Sequence, residues 1–323
     1  MNKNFWQDKK VLVTGYEGFL GSNLTQRLIA SGAKVVGLDI LVKRKETTLT
    51  AEDYKHFTYI KGSVVDYPRL KKILEQHKID TVFHLAAEAT VGKSYSDPLV
   101  NFSTNIEGTW KLLEACRGCK SVETIVVAST DKAYGSHKKL PYKEDAALIG
   151  NHPYDVSKSC ADLIAYTYFH TYGLPVATTR CGNIYGPGDF NLSRIVPDGI
   201  RCAATGDTLL IRSDGKFTRD YVYVDDIVEG YLALAQKLNK LKLGGEAFNF
   251  SDEKPLSVKA LVAEIFKVFG KKPKYKILNT AKYEIKHQYL SSAKARKVLG
   301  WKPRVALREG LLRSAAWYKK IAQ

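Results

Sequence analysis

A glycine-rich turn between a strand and a helix constrains this chain more than any other feature. Lys10-Val-Leu-Val-Thr14 has the make-up of a buried strand and runs straight into Gly15-Tyr-Glu-Gly18-Phe-Leu-Gly21, where a helical pattern over 19–30 begins. Glycines spaced in this way allow a tight turn and a close approach of backbone, with a helix N-terminus left free to face a pyrophosphate. A second apolar run, 34–39, ends in Asp39, 18 positions after Gly21. A carboxylate there can accept hydrogen bonds from an adenosine ribose and repels a 2′-phosphate. The turn therefore predicts a dinucleotide site that favours NAD over NADP. Lys43, Arg44 and Lys45 follow closely and pull the other way, because a 2′-phosphate would welcome them.

The rest of the first half repeats the same unit. Strands are expected at 57–61, 81–85, 124–128 and 175–179, with helices at 68–76, 105–116 and 157–172. Val/Ile/Leu-rich strands separated by helices indicate parallel βαβ units covered on both faces. The predicted fold is α/β: a Rossmann-type, doubly wound parallel sheet with a smaller mixed α/β C-terminal substrate domain. After about Gly186 the alternation becomes irregular, so the NAD-binding domain is placed at 1–185 and the substrate domain at 186–323. Segments within 220–250 are expected to return to the first.

Composition excludes other classes. Hydrophobic residues make up 45% of the 323, too many for a disordered chain, and no apolar run is long enough for a membrane span. The N-terminus lacks an apolar stretch of the kind that directs export, so a cytoplasmic protein is expected. Five cysteines do not suggest a disulfide framework; Cys116 and Cys119 close a helix and lack the partners a metal site needs. The net charge of +17 is dispersed, so neither nucleic acid nor a membrane surface is expected as partner. The densest basic run, 271–276, reads as a solvated loop.

Tyr154-Asp-Val-Ser-Lys158 puts a tyrosine and a lysine on one helical face. Ser129-Thr130-Asp131-Lys132 directly follows the strand over 124–128. In a parallel sheet the carboxyl ends of strands converge on the ligand crevice.

With these motifs the chain resembles an extended short-chain dehydrogenase/reductase of the nucleotide-sugar epimerase/dehydratase branch. His84-Leu-Ala-Ala87, Thr104-Asn105-Ile-Glu-Gly108-Thr109, Arg180-Cys-Gly-Asn183-Ile-Tyr-Gly-Pro187 and Arg219-Asp-Tyr-Val-Tyr-Val-Asp-Asp226 carry the resemblance along essentially the whole chain. The pair Asp131-Lys132 and the opening Phe5-Trp-Gln-Asp are most similar to the CDP-glucose 4,6-dehydratase group. The resemblance implies a tightly bound NAD held by Gly15, Gly18, Phe19, Leu20, Gly21 and Asp39. Ser63 and Val64 are expected at the adenine. Leu85, Ala86, Ala87, Asn105, Tyr154 and Lys158 are expected along the rest of the cofactor. No metal is implied.

The same resemblance implies a 4,6-dehydration that gives a 4-keto-6-deoxy sugar nucleotide for surface glycans. Tyr154 would take the C4 hydroxyl proton, its pKa lowered by Lys158 and the nicotinamide cation. Thr130 or Ser129 would bind the C4 oxygen, and Asp131 would protonate the leaving C6 oxygen. Lys132 or Glu88 would serve at C5. Lys93 and Ser94 are expected around the hexose, and Asn183 and Arg219 at the diphosphate, with Arg194 and Arg212 as further diphosphate residues. A salt bridge to Asp225 or Asp226 is the other reading of Arg219. Tyr95 and Tyr185 read as packing aromatics, and His287 faces either the nucleotide or solvent. The substrate is expected to be CDP-glucose, or GDP- or UDP-linked N-acetylglucosamine, and the protein a homodimer. A 4-epimerase or C4 dehydrogenase on the same scaffold is the competing reading, and a non-catalytic basic NAD-binding regulator a third.

Overall fold

The computed structural model describes residues 3–281 and 284–321. Seven strands form one parallel sheet: β1 (Lys10–Thr14), β2 (Lys34–Asp39), β3 (Thr58–Lys61), β4 (Thr81–His84), β5 (Thr124–Ala128), β6 (Val176–Cys181) and β7 (Ala247–Phe250). Their order is β7-β6-β5-β4-β1-β2-β3. Strand order reverses between β1 and β4, and a ligand crevice opens at such a switch point. In the register there, Thr14 lies beside His84 on one side and Leu38 on the other.

Alternation along the strands builds two cores, one on each face. Val11 and Val13 pack with Leu24, Leu28, Phe83 and Tyr231, under α1 (Phe19–Ala30) and α6 (Val224–Lys237). Leu12 points the other way and packs with Leu70, Ile73, Leu112 and Val127, under α2 (Tyr67–Gln76), α3 (Gly108–Arg117) and α4 (Pro153–Tyr172). Because both faces are covered, every residue of β6 is buried.

A third core gathers Tyr185, Ile200, Leu209, Tyr223, Leu261 and Leu311. It lies among α5 (Ile195–Thr205), α7 (Val258–Val268) and α8 (Leu307–Ile321), with three two-stranded sheets nearby.

Several elements differ from the sequence expectation. The helix expected at 105–116 begins at Pro98 and passes through a π-helical turn, Ser103–Glu107, before α3. Asp97 caps it by accepting a hydrogen bond from Val100 N, a start that the apolar pattern does not mark. Helix α4 starts at Pro153 rather than Ser157, because proline at the first position needs no N–H partner. The basic run is not simply a solvated loop. Tyr275–Ile277 pairs with Leu209–Ile211, while Lys271 donates to Ala203 O (2.6 Å) and Lys274 to Gly206 O (2.7 Å). Both lysines thus serve carbonyls at the negative end of α5.

Candidate active site

A cavity of about 1350 Å³ lies across the carboxyl ends of β1, β4, β5 and β6 and reaches Val196, Leu209 and Ile211 of the third core. That exceeds the roughly 300–1,000 Å³ of a pocket for one small molecule, so there is room for a dinucleotide and a second ligand.

The glycine turn forms one end. Gly15 has φ +75°, and a Cβ there would lie 2.7 Å from Ala86 N. A Cβ on Gly21 would lie 2.0 Å from Gly15 O. Neither position accepts a side chain, so the backbone of the turn, of α1 and of residues 85–87 stays close-packed and bare. Gly15, Gly18, Phe19, Leu20, Gly21, Leu85, Ala86 and Ala87 all line the cavity, as do Asp39, Ser63 and Val64. Asp39 Oδ2 accepts from Glu17 N (3.1 Å) and Oδ1 from Leu41 N (3.0 Å), while burial pushes the carboxyl up. A bare helix N-terminus with a carboxylate at the end of β2 fits a dinucleotide.

His84 supports this end from beneath. The Thr109 hydroxyl donates to Asn105 O (2.6 Å), so the 3.1 Å contact between His84 Nε2 and Thr109 Oγ1 must use the proton on Nε2. Nδ1 is then the acceptor for Thr14 Oγ1 (2.8 Å), whose oxygen takes Leu85 N (3.2 Å). Burial and then the Lys158 charge lower the His84 pKa to about 3, keeping this bridge neutral. The sequence quoted His84 only as part of a motif; its bridging role depends on register between β1 and β4.

The residues expected to be catalytic follow β5. Thr130 leads into a short turn, Asp131–Tyr134, that is fixed from behind. Arg180 donates to both oxygens of Asp162 (2.8 and 2.9 Å) and to Tyr134 Oη (2.8 Å), and Tyr134 donates to Asn249 on β7 (2.8 Å). Asp131 is buried, 1% exposed. Its Oδ1 accepts from Thr130 Oγ1 (2.9 Å) and Lys132 Nζ (3.0 Å), and Gln288 Nε2 donates to its carbonyl (2.7 Å). Asp131 Oδ2, Ser129 Oγ and Gln288 Oε1 are buried without a hydrogen-bond partner, and all three residues line the cavity. Buried polar atoms are normally satisfied, so three unsatisfied ones in residues of one cavity wall set this place apart. Gln288 was not expected from sequence, since it reaches the site from 157 residues away.

Tyr154 and Lys158 both line the cavity. Lys158 donates to Ala128 O (2.9 Å), and burial lowers its pKa to about 8. The expected lowering of Tyr154 is not a property of the chain by itself. Burial instead pushes Tyr154 up to about 12, while Arg194 and the Thr130 hydroxyl pull it down and Asp131 opposes them.

Two expected contact residues lie outside the cavity lining. Ser94 is wholly buried; its hydroxyl donates to Thr90 O (3.0 Å) and accepts from Asn101 Nδ2 (2.7 Å). Asn105 is buried too. Its side chain accepts from Glu88 N (2.8 Å) and donates to Glu88 O (3.1 Å) and Ser157 Oγ (2.9 Å). The π-helical turn presents Asn105 to the stretch after β4, so it fastens that stretch to α4.

On the substrate side, Lys93, Asn183, Arg194, Arg212 and Arg219 line the cavity, with Glu88. Lys93 is exposed, 3.9 Å from Glu88. Asn183 donates to Asp220 O (3.3 Å). Arg219 makes neither of the salt bridges of its alternative reading. It donates to the carbonyls of Thr218 (2.8 Å), Lys286 (3.2 Å) and Ile285, while Asp225 pairs with Arg313 and Asp226 accepts Arg304 N and Val305 N. Tyr185 is a buried packing ring, but Tyr95 is exposed at the cavity mouth. His287 pairs with Thr218 Oγ1 (3.0 Å), outside the lining.

Residues 12–313 match the family model described as GDP-mannose 4,6 dehydratase. The chain belongs to this family. Family relatives include a UDP-glucuronate 4-epimerase of Thermodesulfobacterium geofontis, 32% identical over 96% of this chain and 96% of its own. A CDP-glucose 4,6-dehydratase of Salmonella typhimurium is 31% identical over 99% of this chain and 93% of its own. The crystal structure of a dTDP-glucose 4,6-dehydratase from Streptomyces venezuelae, with NAD bound, superposes with a TM-score of 0.86 at 28% identity; the match covers 96% of this chain and 97% of that one. The protein is thus an extended short-chain dehydrogenase/reductase and an enzyme of the nucleotide-sugar dehydratase/epimerase family. Among the described residues no helix is long and apolar enough to cross a membrane.

Proposed function

We propose that this protein is an NAD-dependent nucleoside-diphosphate-hexose 4,6-dehydratase. The carrying observation is the buried Asp131 carboxyl, with one oxygen bonded by Thr130 and Lys132 and the other unpartnered in a residue that lines the cavity. Bound NAD supplies the acceptor and donor of a hydride. The chain's residues move the protons. Tyr154 accepts the C4 hydroxyl proton, and Thr130 and Ser129 hold the C4 oxygen. The 4-ketone acidifies the proton at C5, and Asp131 protonates the C6 oxygen as it leaves as water. Lys132, 3.0 Å from Asp131, takes the C5 proton and passes it to Asp131, so the proton lost from C5 leaves with the C6 oxygen. With hydride returned to C6, C5 regains the proton that Tyr154 took from the C4 hydroxyl, and only water is lost. Arg194, Arg212 and Arg219 line the cavity where a diphosphate suits guanidinium groups. CDP-glucose is the first substrate to test, with GDP- and UDP-linked N-acetylglucosamine next.

A 4-epimerase would use the same tyrosine, lysine and threonine but would leave Asp131 without a chemical role. Purified protein incubated with a panel of NDP-hexoses separates the two readings. Loss of one water in the product mass supports dehydration; conversion at unchanged mass overturns it in favour of epimerisation.

We also propose a homodimer. Leu99 is 82% and Tyr95 68% exposed, near Phe102 and Trp110, and α4 exposes Leu163, Tyr166 and Tyr172. Apolar exposure on this scale marks an association surface. A monomer in sedimentation at micromolar concentration would refute it. The five unpaired cysteines suit a reducing, cytoplasmic setting.

A further inference from the structure

The basic triplet after β2 left cofactor choice open in the sequence. Glu17, the residue before the second glycine of the turn, supplies a physical answer. It is 1% exposed, yet its carboxylate has a full set of donors. Lys43 N donates to Oε1 (2.6 Å), Arg44 N to Oε2 (3.4 Å) and Tyr54 Oη to Oε1 (2.7 Å). Successive backbone N–H groups turned to one point form an anion-binding concavity. Lys43 adopts φ +54°, in the left-handed region, where its N–H reaches Glu17.

Two of the triplet's side chains are also engaged. The Lys43 ammonium lies over the rings of Tyr59 (5.1 Å) and Tyr54 (5.9 Å), and Arg44 pairs with Glu46 (3.2 Å). Glu17 N in turn donates to Asp39 Oδ2 (3.1 Å), which joins this cluster to the carboxylate facing the cavity. Arg44 and Glu46 line the cavity beside Asp39.

We propose that Glu17 determines cofactor choice by occupying, from within the chain, the anion site that a 2′-phosphate would need. The ligand class that it excludes is an adenosine carrying a 2′-phosphate, as in NADP. The triplet is therefore a latent 2′-phosphate site closed by a buried carboxylate, and Asp39 is only half of the discriminating charge. This inference rests on the NAD reading above.

The test is calorimetric binding of NAD⁺ and NADP⁺ to cofactor-free protein, for wild type, Glu17→Gln and Asp39→Asn. In wild type NAD⁺ should bind more tightly; if it does not, the NAD reading itself fails. Glu17→Gln removes the negative charge that both holds the side chain on the Lys43 and Arg44 N–H groups and repels a phosphate, so the weaker-bound amide can yield those donors to a 2′-phosphate. It should raise NADP⁺ affinity at least about tenfold while NAD⁺ affinity changes less than about threefold. A purely structural role would weaken both nucleotides alike. An unchanged ratio in Glu17→Gln, with a shifted one in Asp39→Asn, overturns the Glu17 assignment and leaves the NAD reading standing. Hydrogen exchange in the wild type gives a second readout that needs no variant. The Lys43 and Arg44 amides should be protected, and rapid exchange at both would refute the clamp even if Glu17→Gln does not fold.

Discussion

Asp131→Asn should separate oxidation at C4 from elimination at C6. An asparagine can present its carbonyl to Thr130 and Lys132, whose contacts with Asp131 are 2.9 and 3.0 Å. Its amide nitrogen then takes the place of Oδ2, which has no partner to lose. Lys132 loses its counter-ion, but its side chain is 25% exposed and water can solvate it. The stability cost should therefore stay near about 1 kcal/mol. The chemical cost is larger, because an amide cannot deliver the proton that the C6 oxygen needs. General acid catalysis contributes about 10²–10⁴-fold, equivalent to about 3–5 kcal/mol of transition-state stabilisation. The assay follows the dehydrated product by mass spectrometry and reduced nicotinamide by fluorescence on one sample. Product formation should fall by that factor while the nicotinamide signal rises and persists. Full dehydratase turnover in Asp131→Asn would refute the acid assignment. Loss of both signals would show that Asp131 serves C4 oxidation as well.

Three further outcomes follow from the geometry. Gly21→Ala places a Cβ 2.0 Å from Gly15 O, so NAD⁺ affinity should drop at least about 100-fold in calorimetry, with the far-ultraviolet dichroism retained. Arg180→Met leaves the buried Asp162 without its ion pair and with only the Thr178 hydroxyl donating to it (3.3 Å); it should lower unfolding stability by about 3–5 kcal/mol in urea and, by loosening the Asp131–Tyr134 turn, reduce turnover of whatever still folds. Asp220 is buried, and burial raises its pKa to about 7, so the folded protein holds a proton that the unfolded chain loses at ordinary carboxylate values. Its contribution to stability is greatest below about pH 4 and is lost as pH rises through about 7. Unfolding midpoints of wild type minus Asp220→Asn should therefore fall over that window. The subtraction cancels His84, whose lowered pKa gives the opposite slope in both proteins.

The parts of the fold that the sequence disclosed share one property: they are local. Continuous Val/Ile/Leu runs bounded by glycine or a helix start marked six of the seven strands within a residue or two, whereas β7 was legible only as part of a stretch expected to return to the first domain; the glycine turn marked the ligand crevice. Tyr154 and Lys158 were legible because four residues on a helix is one turn. What stayed hidden depends on distant segments meeting. Ser94 and Asn105 carry polar side chains in a stretch that motif position assigns to ligands, yet their partners Asn101, Glu88 and Ser157 consume them. Gln288 sits in a stretch without periodicity and reaches Asp131 only through the fold. The π-helical turn before α3 has no period-3.6 signature, since it shifts the face by one residue.

The net charge of +17 explains less of the site than its sign suggests. The cavity lining mixes both signs: Arg194, Arg212 and Arg219 share it with Glu88, Asp189, Asp198 and Glu284, and Arg44 lies beside Asp39. Elsewhere basic groups do structural work, as when Lys271 and Lys274 serve the C-terminal carbonyls of α5 or Lys294 donates to Ala247 O (2.7 Å) over the Phe248 ring. Burial disfavours charge at the centre itself, lifting Tyr154 to about 12 and dropping Lys158 to about 8. An ionised Tyr154 therefore needs cationic help beyond Lys158, and among the cavity residues Arg194 is the one whose charge pulls Tyr154 down. Arg194 also pairs with Asp189 at 3.2 Å, so the same contact that holds the guanidinium in place divides its field.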